Sequence, residues 1–350
     1  MKLHASTCPT GCSSEAQFSC DGVSETKSTL TSLDVYSIRF AECRTVYPLL
    51  IVRPLYKHPI EEDFLPKVLE SLGNIKITEF LGDNPKRSIA RHSLSHSSNY
   101  PCEYCFQLGT HLKTKTNKTK IVWPAKSSLG EPRTTEAVLK IVEAIELNPA
   151  MKKQDRKGII SRSPFLNLDY FDFVHDIPVD YMHTACLGVV KCLIVLCFNV
   201  GEKRPRLVKR KLSSPAKFNS AMSSVKVPHE FSRRGRNLDF SVLKAQEFRN
   251  IILFFFPFVI SCFELEDKEI SLWLYLAFAI RACVLPENEF QNVQKTHVKK
   301  VMQKFYILYE KLFGATNCSY NTHVLCSHLL DMLKTGSLTA TSCFGFENFY

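Results

Sequence analysis

The order of apolar patterns along the chain restricts its fold more than any other sequence feature. Short runs rich in Val, Ile, Tyr and Phe, separated by polar turns, predict strands over Gln17–Val23, Asp34–Phe40 and Val46–Val52. Apolar residues at helical spacing then predict a helix over Glu61–Leu72, and a fourth strand follows over Ile75–Leu81. The first part of the chain is therefore predicted to have the order β-β-β-α-β.

The pattern changes after Thr134, where wide apolar faces recur at helical spacing. The predicted helices are Glu136–Glu146, His183–Phe198, Lys244–Phe263, Ile270–Val284 and Val293–Leu312. A basic and polar linker, Gly201–Asn237, separates the second helix from the third. A Lys-, Thr- and Ser-rich loop around a short strand, Ile121-Val122-Trp123, is predicted over Lys113–Leu129. The outline is an α/β N-terminal half followed by an all-helical half.

The order β-β-β-α-β is the opening of an RNase H-like fold, whose first two catalytic acids lie on the neighbouring first and fourth strands. We therefore predict an α/β protein that opens as an RNase H-like core; the family resemblance described below implies the full fold class, an RNase H-like (DDE) core interrupted by a large all-α insertion. Residues 16–130 are expected to form the first half of the core, and residues 131–320 the insertion, with its basic linker at 201–237. Residues 321–350 would return to the core.

Charge and composition favour a polyanionic partner without fixing it. The chain has 350 residues, a formal net charge of +11 and a pI near 9.0, and a basic excess of this size suits nucleic acid. The basic residues cluster in the linker: Lys203, Arg204, Arg206, Lys209, Arg210, Lys211, Arg233, Arg234 and Arg236. They suit phosphate contacts or a nuclear import signal; a solvated loop is the competing interpretation.

The 14 cysteines are read as buried thiols or metal ligands rather than disulfides, because the first twenty residues lack the pattern of a secretory signal. The longest apolar runs, Ile251–Phe263 and Ser271–Ile280, are shorter than the roughly 18–20 residues that a membrane span requires. We therefore expect no membrane partner.

Three acids are placed where a nuclease core would need them. Asp21 lies near the end of the first predicted strand, Asp83 just past the fourth, and Glu347 near the C-terminus. Three converging carboxylates can hold two Mg²⁺ or Mn²⁺ ions about 3.5–4 Å apart for phosphodiester chemistry. Asp beside Gly or Asn is also common in turns, so each acid alone has a simpler interpretation, and Asp34 competes with Asp21 as the first acid.

Two pairs of potential metal ligands stand far apart in the chain. Cys102 and Cys105 form a C-x2-C pair, and His323 and His328 form an H-x4-H pair. Two thiolates and two imidazoles are a suitable ligand set for a tetrahedral structural zinc. Spacing alone leaves open whether the pairs meet or are unrelated, and His96 is the substitute if one later histidine is not a ligand.

Asp180 and His183 open the second predicted helix as Asp180-Tyr181-Met182-His183. Asp180 could cap that helix, since a carboxylate satisfies free N–H groups at a helix N-terminus. A catalytic or metal-binding role for Asp180 and His183 is the alternative.

Taken together, these motifs resemble the DDE core of CACTA-like (EnSpm-type) transposase-derived proteins of animals, over nearly the whole chain. The matching segments are Phe18–Val23, Val46–Leu49, Gly82–Arg87, His96–Cys105, Asp180–His183 with Leu187-Gly188-Val189, Phe231–Arg236, Ala245–Arg249, Asn321–His323 and Phe344–Asn348. By motif position, the resemblance implies that Asp21, Asp83 and Glu347 are the DDE acids. It also implies metal-dependent DNA cleavage and strand transfer.

A more distant similarity concerns the zinc ligands. Transib transposases and the V(D)J recombinase catalytic core also have a C-x2-C after the second acid and an H-x4-H before the third, and there the pairs share one zinc. This similarity implies one structural zinc held by Cys102, Cys105, His323 and His328, which would fasten the helical insertion to the core.

The chain departs from the family at its end. Gly345 replaces the usual Pro of P-F-E-N, and the sequence stops three residues after Glu347, so we expect weak or lost activity and leave open whether the chain is an enzyme. DNA is the expected partner, the nucleus the expected location, and self-association is left open. The rivals are a non-catalytic DNA- or protein-binding remnant and a zinc-stabilised interaction module without a DNA role.

Overall fold

A computed structural model describes residues 15–24, 32–40, 45–52, 61–114, 117–125, 129–198, 219–220, 224, 243–262, 265–291 and 293–347. The basic-linker residues Lys203–Lys211 and Arg233–Arg236 lie outside these ranges. The described residues fall into two compact units. The first lies within Met1–Leu108, Gly130–Asp180 and Ala340–Tyr350, and the second within Gly109–Leu129 and Tyr181–Thr339.

The first unit is built on a four-stranded mixed sheet. Its strands are β1 (Glu15–Ser24), β2 (Ser32–Phe40), β3 (Val46–Val52) and β4 (Lys76–Gly82), in the spatial order β3-β2-β1-β4. β1 pairs antiparallel with β2, and β2 with β3, whereas β1 and β4 run parallel. The predicted mixed α/β class is confirmed, and the predicted first and fourth strands are neighbours.

One face of this sheet carries the apolar core. Phe18 on β1, Tyr36 on β2 and Phe80 on β4 are almost completely buried, and the rings of Phe18 and Phe80 lie 5.6 Å apart, centre to centre. This alternation follows from the period of two along a strand, which sends every second side chain to the same face. The core gathers residues from two helices, α1 (Glu61–Ser71) and α3 (Thr135–Leu147), together with the segment that follows α3.

The sequence explains where the helices of this unit begin. Helix α2 (Asn84–Ala90) starts directly after β4, and the carboxylate of Asp83 caps it by accepting a hydrogen bond from the Lys86 N–H at 2.9 Å. Helix α3 starts after Thr134, whose hydroxyl oxygen accepts from the Ala137 N–H at 3.1 Å. Both residues belong to the types preferred at N-caps.

The opposite face of the sheet is partly polar and contacts the last described segment of the chain. Gln17, Ser19 and Asp21 alternate along β1 on this face. Gln17 Nε2 donates to the carbonyl oxygen of Ala340 at 3.1 Å, and the guanidinium of Arg39 lies 5.0 Å from the centre of the Phe346 ring. The first and last described parts of the chain are thus packed together.

The second unit contains a two-stranded hairpin, β5 (Thr110–Lys113) with β6 (Thr119–Val122), and a set of helices. The helices are α4 (Lys191–Phe198), α5 (Ala245–Asn250), α6 (Phe256–Cys262), α7 (Asp267–Cys283), α8 (Glu287–Phe290), α9 (Lys295–Phe313), α10 (Tyr320–Ser327) and α11 (Leu329–Met332). Met182–Val190 and Ile251–Phe255 are π-helical and lead directly into α4 and α6. A last short helix, α12 (Phe344–Glu347), belongs to the first unit.

Helices α7 and α9 form the apolar centre of the second unit. Leu272, Trp273 and Leu276 on α7, and Met302 and Phe305 on α9, have no exposed surface. Their spacing places each set on one helical face. In the described part of the chain, no helix combines the length and apolar character needed to cross a membrane.

Candidate metal centre

The C-x2-C pair lies in a buried loop of the first unit. Cys102 and Cys105 are each 1% exposed. The segment around Arg133 holds the loop, because its backbone N–H donates to the Tyr104 carbonyl at 2.8 Å and its Nε to the Cys105 carbonyl at 3.2 Å. These hydrogen bonds fix both thiol-bearing residues without using the thiols themselves.

The surroundings of the thiols set their protonation. Burial raises the pKa of the Cys102 thiol well above its usual range, and its hydrogen bond with Cys105 adds to this effect. Burial also lowers the pKa of the neighbouring Arg133 to about 10, an effect that the charges of Cys102 and Cys105 oppose. Because metals bind the thiolate form, a bound metal would have to displace protons from this pair.

Both histidines of the H-x4-H pair lie in the second unit, one within helix α10 and the other directly after its last residue. His323 is on α10, and its ring stacks on Trp123 with centroids 6.0 Å apart. His328 is the residue that ends α10, and its Nδ1 lies 2.8 Å from the carboxylate of Asp331. A carboxylate partner at one ring nitrogen orients the imidazole and leaves Nε2 as the nitrogen for a metal.

The four residues are all buried, Cys102 and Cys105 in the first unit and His323 and His328 in the second. Two sulfurs and two nitrogens are a donor set that suits a tetrahedral ion with bonds of about 2.0–2.3 Å. Such a Cys and His cluster could hold a metal such as zinc. His96 is exposed and its Nδ1 lies 2.9 Å from Asn84 Oδ1.

A close approach within the second unit explains two further motifs. Gly188, in the π-helical segment, faces Asn321 on α10, and a Cβ added at Gly188 would lie only 2.5 Å from Asn321 Nδ2. The lack of a side chain at Gly188 thus allows α10, which carries His323, to pack at this distance. The L-G-V and N-x-H segments are in contact for this steric reason.

Asp180 and Cys343 are a second set of potential ligands and lie together in the first unit, whereas His183 lies in the π-helical segment of the second unit. Asp180 is completely buried. Its Oδ1 accepts hydrogen bonds from the Cys343 N–H at 2.8 Å and from the Ser342 hydroxyl at 3.2 Å. The sequence pointed to Asp180 and His183 but not to Cys343, because no local spacing connects residues so far apart in the chain.

Two of the three predicted acids lie at neighbouring strands, Asp21 within β1 and Asp83 directly after the end of β4. The parallel register places Cys20 on β1 opposite Gly82 on β4. Asp21 directly follows Cys20, and Asp83 directly follows Gly82. Asp21 is half-buried, and Asp83 caps α2 through Oδ1. Neither belongs to a group of three potential ligands among the described residues, which leave out the side chain of Glu347.

The remaining candidate acids have different surroundings. Asp34 on β2 forms a largely buried ion pair with Lys86, whose Nζ lies 2.5 Å from Asp34 Oδ2. Glu347 is the last residue of α12, next to Phe346, which contacts Arg39. Asp34 therefore has a structural partner, whereas the backbone of Glu347 lies in the segment that contacts the polar face of the sheet.

The features from which a function can be argued are the two sets of potential metal ligands and the parallel pairing of β1 with β4. No protein-family model matches the chain, and no curated protein matches it in a sequence search.

Proposed function

We propose that this chain is a transposase-derived, DNA-processing protein with an RNase H-like core, which cleaves phosphodiesters and transfers strands with Mg²⁺ or Mn²⁺. The observation that carries this proposal is the parallel pairing of β1 with β4, in which Cys20 lies opposite Gly82. Neighbouring strands are about 4.8 Å apart, so the following residues, Asp21 and Asp83, are close enough to share an ion.

The role of Asp83 as a helix cap is compatible with metal binding. Its hydrogen bond to the Lys86 N–H uses Oδ1, and an ionised carboxylate offers about four lone-pair positions on two oxygens. In the proposed site, Asp21 and Asp83 bind the ions and Glu347 completes the ligand set. The ions would activate the attacking water or DNA 3′-hydroxyl and stabilise the leaving oxygen.

We further propose that the cluster of Cys102, Cys105, His323 and His328 binds one structural zinc. The donor set, complete burial and the Asp331 carboxylate behind His328 support this assignment. We expect one zinc per chain in the purified protein, and Cys102→Ser should remove most of it. Cys283→Ser, at a buried cysteine of α7 outside both ligand groups, is the matched control and should keep the zinc.

DNA binding and nuclear location are part of the proposal because of the net charge of +11 and the basic clusters of the linker. Each Lys or Arg that neutralises a phosphate releases counterions, so affinity should fall steeply as salt rises. Self-association of the chain is an open extension that a measurement of molecular mass in solution, with and without DNA, would decide.

A non-catalytic DNA- or protein-binding remnant is the second candidate function. The structural roles of the acids favour it, since Asp83 caps α2 and Asp34 pairs with Lys86. Such a remnant would bind DNA with the same dependence on salt, while divalent ions would cause no cleavage. A zinc-stabilised module without a DNA role would show no DNA binding even at low salt.

The deciding experiment is a nicking and strand-transfer assay with Mg²⁺ or Mn²⁺ on the native chain and on Asp83→Asn, Asp21→Asn and Asp34→Asn. Asn preserves the capping ability of position 83 but removes the charge that binds the ions. Cleavage that is lost in Asp83→Asn and Asp21→Asn and kept in Asp34→Asn would support the proposal. Loss in Asp34→Asn and Asp83→Asn but not in Asp21→Asn would make Asp34 the first acid, and absence of cleavage in the native chain would favour the remnant.

A further inference from the structure

The two residues between the cysteines of the C-x2-C loop make contacts that the metal site does not require. The first of them, Glu103, is 6% exposed and forms a buried ion pair with Arg87, which is 1% exposed. Glu103 Oε1 lies 3.2 Å from Arg87 Nη2 and 3.3 Å from Arg87 Nε. Two guanidinium nitrogens thus reach the same carboxylate oxygen, which restricts the direction of approach.

Arg87 connects this ion pair to the end of β4. Its third nitrogen, Nη1, donates to the carbonyl oxygen of Gly82 at 2.8 Å, and Gly82 is the last residue of β4, directly before Asp83. Arg87 also lies on α2, the helix that Asp83 caps. A continuous set of hydrogen bonds therefore runs from the loop between the cysteines to the backbone that carries the second acid.

Tyr104, the other residue between the cysteines, anchors the loop on its remaining sides. Its hydroxyl oxygen accepts a hydrogen bond from the Val179 N–H at 3.1 Å, and its carbonyl accepts from the Arg133 N–H at 2.8 Å. Val179 directly precedes Asp180. The loop is thus fixed against three separate backbone segments, so a change at Cys102 or Cys105 cannot be absorbed by free movement of the loop.

A buried ion pair is a poor source of net stability, because removing two charges from water costs about as much as their attraction returns. The value of such a pair lies in fixing one arrangement, and here the arrangement joins the thiol loop to Gly82. A carboxylate that helps to bind two metal ions must be held within a fraction of an ångström of its working position.

We propose that Glu103 and Arg87 are positioning residues, through which metal binding at Cys102 and Cys105 holds the backbone of Asp83 in place. The inference rests on the proposed function only in giving Asp83 a catalytic task. The zinc of the buried cluster would then regulate the acid site, in addition to stabilising the fold. Without zinc, Cys102 and Cys105 would no longer be held by a common ion, and their displacement would pass through Glu103 to Arg87, so that the carbonyl of Gly82 would lose its single orientation.

The test is amide hydrogen exchange over residues 76–90, which cover β4 and α2, in the full chain with zinc bound and after chelation. In the native chain, zinc removal should speed exchange there at least tenfold. Glu103→Gln keeps the size of the side chain and removes its charge, so exchange should already be fast with zinc bound and should change little on chelation. Arg87→Lys, which keeps the charge but loses the fork, should behave in the same way.

The matched control is Glu146→Gln, which removes an exposed ion pair with Arg162 in the same unit; it should respond to zinc as the native chain does. Native zinc-dependent protection in Glu103→Gln would overturn the inference, and so would a purified native chain that contains no zinc. If chelation unfolds the whole chain, the inference is tested by comparing exchange in the zinc-loaded variants alone. Exchange over residues 76–90 must then be at least tenfold faster in Glu103→Gln than in Glu146→Gln, with equal zinc content.

The exchange measurement separates this inference from the proposed function. Zinc-dependent protection that requires Glu103, in a chain that does not cleave DNA, would support the positioning role and reject the nuclease. Cleavage that depends on Asp83 but not on Glu103, with no effect of zinc on exchange, would reject the positioning role alone. If both hold, Glu103→Gln should need about tenfold more Mn²⁺ for half-maximal cleavage.

Discussion

The two units of the molecule bury charged groups in different ways. In the first unit, Arg87, Arg91 and Arg133 are at most 6% exposed, and each donates to backbone carbonyls. In the described part of the second unit, the buried carboxylates are Glu247 and Glu269, which accept hydrogen bonds from the backbone N–H groups of Lys244 and Glu266 at the starts of α5 and α7.

This difference follows from the backbone of each unit. Helices satisfy most of their own polar groups, and buried acids are needed only at their first turns. The first unit contains long irregular segments, such as the loop around Cys102 and the stretch Phe171–Asp180, whose buried carbonyls need donors from elsewhere. Arginine supplies several donors from one side chain. The first unit therefore depends on a few polar residues in addition to the apolar core of its sheet, whereas the helices of the second unit satisfy most of their own backbone groups.

The largest effect is expected in the apolar centre of the second unit. Phe305→Ala on α9 removes a ring with no exposed surface, and it should lower the free energy of unfolding by about 3–5 kcal/mol. Ile307→Ala on the same helix, at a residue that is 49% exposed, should cost far less. Urea denaturation measures both. Equal effects would show that burial of apolar side chains on α9 does not determine the stability of the second unit.

An intermediate effect is expected for a buried arginine of the first unit. Arg91 donates to the carbonyls of Phe173, Val174 and Ile177 at 2.6–3.0 Å. Arg91→Met keeps a similar apolar volume but removes these donors, and should lower the free energy of unfolding by about 2–3 kcal/mol. Arg162→Met, at a surface ion pair, is the control and should have a smaller effect; a harmless Arg91→Met would contradict the comparison.

The smallest effect is expected at a helix start of the second unit. Glu269→Ala removes the hydrogen bond to the Glu266 N–H at the start of α7, and should destabilise the protein by about 1 kcal/mol. Asp267→Ala changes a neighbouring exposed acid of the same first turn and thus separates charge from capping. Thermal unfolding measures the midpoint temperature of both variants. If only Glu269→Ala lowers the midpoint, the buried acids of the second unit act as helix caps; an equal decrease in Asp267→Ala would contradict this role.

Regular elements with strong apolar periods were predictable from the sequence. The strand Val46–Val52 was predicted with the observed bounds, and the helices over Glu61–Ser71 and Lys295–Phe313 to within two residues at each end. The strand Thr110–Lys113 was missed because its residues are mostly exposed and polar, so no alternation marks it. The π-helical segments were missed because the spacing of apolar residues does not distinguish the i→i+5 hydrogen bonds of a π-helix from the i→i+4 bonds of an α-helix.

In the structure, residues 130–180 belong to the first unit. Val138, Val142 and Phe165 pack into the core of the sheet, a contact that helical periodicity alone cannot assign to one partner. Among site residues, the Cys and His pairs were predictable from their local spacing. Cys343 and Arg87 were not, since their roles depend on distant neighbours and arginine usually indicates the surface.

The hydrogen bond between Gln17 and Ala340 joins residues 323 positions apart in the chain. At a synthesis rate of about 5–20 residues per second, the strand β1 would wait roughly 15–65 s on the ribosome before this partner exists. During that interval, the polar face of the sheet lacks one of its covering segments. The first unit can therefore complete this face of its sheet only after residue 340 has been synthesised.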